Sequence, residues 1–161
     1  MRDLAVVHGQ SGVTSSTTEL IIASIPSTPI VVGTFWRYEA HITKTTSATS
    51  ATCTFNMRYG ANKTTADTAM LGAAGAGITS AAFTTIGDDY NVRGVFFVQD
   101  ASHVQITYNC IGNGTTAAVT KPIDAIVSVT LATTSFFSMS LKCSTTTGGF
   151  QTVHHYLEKI A

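Results

Sequence analysis

The chain has 161 residues, enough for one domain or at most two very small ones, and at this length it buries a sizeable core without help from disulfides or metal. Only 11% of it is charged, against about 25% in a typical domain, and nine basic residues balance nine acidic ones, which excludes a nucleic-acid binder that must neutralise phosphates. Thr and Ser stand in for the missing charge (28 and 14 residues), while 44% apolar content excludes disorder and the scarcity of Glu excludes a coiled coil or helical bundle.

Along the chain the recurring signal is period-two alternation broken by Gly, Asn, Asp and Pro, the pattern of an all-β protein. Leu4 to His8 is a short possible first strand, and Glu19 to Ile25 is the next, stopped by Pro26. Gly33 to Thr43 alternates most clearly: Trp36, Tyr38, Ala40 and Ile42 share one face, and Arg37, Glu39, His41 and Thr43 share the other. Ala51 to Tyr59 places Cys53, Phe55, Met57 and Tyr59 inward and Thr52, Thr54, Asn56 and Arg58 outward. Between 61 and 86 the spacing predicts a short strand or helical turn near Asp67 to Leu71, a mobile glycine-rich loop at Gly72 to Gly77, and a strand from Ser80 to Thr85. Asn91 to Gln99 puts Val92, Gly94, Phe96 and Val98 on its inner face. His103 to Ile111 follows a turn at Asp100 to Ser102, with Val104, Ile106, Tyr108 and Cys110 inward. Gly112-Asn113-Gly114 is a tight-turn signal whose partner strand falls within Ala117 to Leu131. Phe136 to Cys143 alternates with Phe137, Met139, Leu141 and Cys143 inward, and Phe150 to Ile160 closes the chain. Eight to ten short strands at this spacing predict an antiparallel β-sandwich or barrel.

Catalytic and metal motifs are sparse. Cys53, Cys110 and Cys143 have no short spacing and read as buried free thiols. His154 and His155, being adjacent, point to opposite faces of a strand and cannot share one ion from within it. Asp88 and Asp89, with Asp67 or Asp100, have no calcium-loop spacing and read as solvated turns. The Gly72 to Gly77 run lacks the Gly-Lys-Ser/Thr ending of a phosphate loop. Arg37, Glu39 and His41 form a polar ladder without a second carboxylate, which reads as a solvated or interface strip in which Arg58 or Arg93 pairs Glu39 across strands. The N-terminus has no apolar stretch of the secretory kind, and the longest apolar run, Leu20 to Val32, is broken by Pro26 and Pro29, so the expectation is cytoplasmic synthesis without membrane insertion.

The order of features resembles a jelly-roll domain common in tailed-bacteriophage virion proteins. The residues that carry the resemblance are Thr18 to Pro26 with its Ile-Pro ending, Arg37-Tyr38-Glu39-Ala40, Met57-Arg58-Tyr59-Gly60, Asn91 to Val95, Ile123-Asp124 and the closing Tyr156 to Ile160. It spans roughly residues 14 to 160. Gly72 to Gly77 is not part of the pattern, and no site residues carry over. The resemblance implies a jelly-roll β-sandwich that assembles as a trimer and has no catalysis or cofactor of its own. Such domains serve as capsid decoration (cement) proteins or as tips of tail fibres and tail spikes.

A sandwich that starts close to Met1 suits the decoration role. The expectation is therefore a structural protein of the virion surface, assembled in the host cytoplasm, whose partners are its own copies and the major capsid protein. A 17–161 sandwich would follow a 1–16 segment that is a candidate docking arm. The alternatives are a tip domain recognising a host-surface glycan, a small β-sandwich hydrolase and a lectin-like module. Phe35, Phe97 and Phe136 fall on outer faces, and Arg93 and Val95 share a face with Phe97. These five are the candidate subunit-interface residues, because exposed Phe is normally covered.

Overall fold

The computed structural model describes residues 6–9, 17–24, 30–46, 50–72, 75–80, 82–113, 120–146 and 149–161. Eleven strands lie among them: β1 Val6–Gly9, β2 Leu20–Ser24, β3 Phe35–Thr46, β4 Cys53–Gly60, β5 Thr68–Ala69, β6 Ile78–Thr79, β7 Asp89–Val98, β8 His103–Asn113, β9 Thr120–Ser128, β10 Phe136–Cys143 and β11 Gly149–Lys159. No helix among the described residues is long and apolar enough to cross a membrane.

The strands form two antiparallel sheets. One has the order β1-β11-β3-β7-β8-β9 and the other β2-β10-β4-β5, with β6 also on β4. The pairs β1·β11, β2·β10, β3·β7 and β4·β5 are nested like the two arms of one long hairpin. Successive strands β1, β2, β3 and β4 alternate between the sheets, so that hairpin is wrapped around a common core. This is a jelly-roll sandwich. The β8–β9 hairpin is an insertion after β7 that widens the first sheet to six strands.

Alternation dictates the core. Trp36, Tyr38, Ala40 and Ile42 of β3 are fully buried against Phe55 and Met57 of β4 and Phe137, Met139 and Leu141 of β10. Rings interlock across the sheets: Phe96 meets Phe137 edge-on at 4.4 Å and Trp36 meets Phe137 at 5.3 Å, while Tyr38 stacks on Phe55 at 5.9 Å. Trp36 satisfies its indole N–H on Thr34 Oγ1 at 2.9 Å, as a buried Trp must. The three cysteines are free and buried.

Several expectations need correction. β3 continues past Thr43, and Lys44, two residues beyond Ile42, is buried with its Nζ donating to the Phe83 carbonyl at 3.1 Å. No strand spans Ser80 to Thr85. β6 ends at Thr79, and Phe83 makes only an isolated bridge to Ala51. Asn56, Ser138 and Ser140, on the face of the smaller sheet that alternation makes outer, are buried. The described glycines of the Gly72 to Gly77 run are tied rather than loose: Gly75 N–H bonds Gly72 O, Gly77 N–H bonds Leu71 O, and Asn56 donates to Gly75 O while accepting from Leu71 N–H. Gly77 has φ +85°, and a Cβ there would meet Phe55 O at 2.9 Å, so the position requires glycine. Val6–Gly9 is a strand of the large sheet, in keeping with the first-strand reading. The remainder of the 1–16 arm lies outside the described residues, as does Gly114 of the expected tight turn.

Candidate functional site: the outer face of the six-stranded sheet

Strand register places the outward side chains in rows across the sheet. The first row runs Ile160, Phe35, Phe97, Gln105, Ile126, and the second Glu158, Arg37, Val95, Thr107, Asp124. The third row is Tyr156, Glu39, Arg93, Asn109, and the fourth His154, His41, Asn91, Ile111. Four of the five interface candidates, Phe35, Arg93, Val95 and Phe97, therefore meet on one face. Phe136 does not join them. It lies on the smaller sheet, where Lys63 Nζ sits 4.0 Å from its ring centroid.

The first row is apolar except for Gln105. Phe35 and Phe97 stack at 4.4 Å, yet Phe35 stays 46% exposed, Ile160 41% and Ile126 64%, with Val95 at 41% in the next row. The rows beyond are polar and knitted together. Arg37 pairs with Glu158 at 2.5 Å and lies 5.2 Å over the Tyr156 ring. Glu39 accepts from Asn91 Nδ2 at 2.8 Å and from the Tyr156 hydroxyl at 2.9 Å, and it lies 3.3 Å from His154 Nε2. His41 Nε2 lies 3.1 Å from Asp89 Oδ2 and its ring meets His154 edge-on. The expected pairing of Glu39 with Arg58 or Arg93 does not form. Arg58 pairs with Glu19 on the smaller sheet, and Arg93 makes no hydrogen bond or ion pair among the described residues.

Burial opposes the charge on Glu39, but its three donors outweigh burial and hold its pKa below the ordinary value. Burial and the adjacent Glu39 carboxylate push the Tyr156 hydroxyl up to about 12, so it keeps its proton near neutrality and acts as a donor rather than a base.

Between the second and third rows lies a groove of about 290 Å³, walled by Arg37, Arg93, Val95, Thr107, Asn109 and Tyr156, with the backbone at Tyr38, Gly94 and Tyr108 as its floor. Gly94 is an inward position where a Cβ would meet Thr107 O at 2.4 Å and the Tyr38 hydroxyl at 2.7 Å, so three strands close tightly beneath the groove.

The carboxylates considered for calcium are dispersed. Asp67 accepts backbone N–H groups of Asn62, Lys63 and Thr64, Asp88 those of Thr84 and Thr85, and Asp100 that of Ser102. Among the described residues no group of three His, Cys, Asp or Glu side chains is placed to hold a metal ion.

Sequence reasoning did not single out Tyr156, Asn91, Asn109 or Thr107. Alternation counted from Phe150 would turn His154 and Tyr156 inward. The bulge between Thr152 and His154 inserts Val153 and reverses the phase, so His155 is buried and Tyr156 faces out. No protein-family model matches the chain, and no curated protein matches it.

Proposed function

We propose that the protein is a non-catalytic structural component of a tailed-phage virion: a capsid decoration (cement) protein that docks on the major capsid protein as a homotrimer. The observation that supports this best is the apolar row Ile160, Phe35, Phe97 and Ile126, with Val95 beside it, on a face where Arg37 and Glu39 are already engaged within the chain. Full burial of one Phe or Ile is worth about 1.5–3 kcal/mol. These side chains are already partly covered, so a single contact gains only part of that, and simultaneous contacts in a trimer multiply it.

Light scattering should return a trimer of the 16.9-kDa chain at micromolar concentration, and Phe35→Asp should return a folded monomer with a cooperative melting transition. A wild-type monomer would sink the assembly role. Antibody labelling of virions should then mark the head.

A second reading, a tail-fibre or tail-spike tip that recognises a host-surface glycan, draws on the groove between Arg37 and Arg93. Labelling of the tail instead of the head would favour it.

A further inference from the structure

We infer that the groove between Arg37 and Arg93 binds an acidic sugar, a uronate-like residue whose carboxylate pairs with Arg93. This deepens the glycan-recognition reading and rests on it. Among the described arginines, Arg37 is paired with Glu158 and Arg58 with Glu19, while Arg93 has no partner. A guanidinium presents its donors as a planar fork that matches a carboxylate.

The natural partner of Arg93 is Glu39, directly opposite it on β3. Asn91, Tyr156 and His154 hold that carboxylate instead, with Tyr156 and His154 drawing it toward β11, and so keep Arg93 available.

The groove's surroundings also narrow the ligand. Asn109, opposite Arg93 on β8, lines the groove as well. A simple anion would serve Arg93 alone, whereas a polyhydroxylated carboxylate also offers hydroxyls, which both donate and accept, to the polar side chains of the wall. The volume of about 290 Å³ lies at the bottom of the usual ligand range of about 300–1,000 Å³, which fits one sugar ring better than a peptide. Val95 supplies an apolar wall for the C–H edge of the ring.

The test is titration of the full-length, ¹⁵N-labelled protein with D-glucuronate, D-glucose and acetate, read at the amides of Gly94, Thr107 and Asn109. Glucuronate should bind at least about tenfold tighter than either control, the difference expected for one charge-assisted hydrogen bond. Arg93→Ala should weaken it by about tenfold or more, with Arg93→Lys intermediate. Tyr156→Phe, which frees one oxygen of Glu39, should also weaken it.

Glucose binding as well as glucuronate would overturn the acidic preference and leave glycan recognition standing. Acetate binding as well as glucuronate would reduce the groove to a carboxylate site and overturn the sugar. No shift with any of the three would overturn both readings. Unchanged affinity in a folded Arg93→Ala protein would overturn the role of Arg93.

Discussion

Tyr38 and Asn56 are both buried polar residues, and their surroundings predict opposite responses to mutation. The Tyr38 hydroxyl has no hydrogen-bond partner, and burial drives its pKa well above the ordinary value. Removing it in Tyr38→Phe deletes an unmet desolvation cost, so the variant should be as stable as wild type or more stable by up to about 1 kcal/mol. Asn56 is matched on both sides of its amide and bridges the break between β5 and β6, where loop backbone replaces strand pairing. Asn56→Ala strands a buried N–H and a carbonyl and should cost about 1–3 kcal/mol in urea unfolding. The two outcomes together check whether hydrogen-bond satisfaction, rather than burial, governs the polar core. Burial is the largest influence on two of the thiols: it pushes Cys53 up to about 12 and raises Cys110 as well, against hydrogen bonds with Ser80 and Tyr90 that lower them. A thiol reagent at mildly alkaline pH should therefore find no fast-reacting cysteine in the native protein and three in denaturant.

At the scale of elements, Glu19 just before β2 ties three strands through Arg58 of β4 and Ser140 of β10. Burial opposes its charge, but the hydrogen bonds from Arg58 and Ser140 prevail and its pKa is lowered. A carboxylate depressed in the folded state contributes stability that is complete above its unfolded value and is lost as pH falls through the folded one. Stability should thus decline as pH drops below the ordinary carboxylate range, and Glu19→Gln should flatten that decline; an identical slope in the variant would remove Glu19 from the account. Gly94 belongs to the same scale, because its Cα closes β3, β7 and β8 together, and Gly94→Ala should destabilise by about 1–3 kcal/mol through overpacking. The long strands were legible in the sequence because each keeps one inward face over eight or more residues, as β3, β7 and β8 do. The short β6 was not, and β5 was foreseen only as a short strand or helical turn near Asp67 to Leu71, since two residues carry no period and their edge is held by Asn56 and by glycines at positive φ. The site was half legible for a related reason. Phe35, Arg93, Val95 and Phe97 follow from alternation, whereas Tyr156 depends on a bulge that no local pattern announces.

Over the whole molecule, the scarcity of charge takes on a spatial meaning. Most of the charged side chains on the large sheet's outer face engage one another or neighbouring polar groups: Arg37 with Glu158, Asp89 with His41, Glu39 with its three donors, and Asp124 with Thr107. Apart from Arg93, side chains whose charges are already matched lose less by leaving water than free Lys and Glu would. The attraction between copies must then come from the apolar row rather than from complementary charge, and salt distinguishes the two. At about 1 M ionic strength the screening length shrinks to about 3 Å, which weakens assembly driven by exposed ion pairs and leaves apolar burial intact. The trimer should therefore persist, with no rise in the dissociated fraction, when sedimentation is repeated from low salt to about 1 M. Dissociation across that range would mean that charged groups hold the copies together and that Phe35 and Phe97 lie away from the seam.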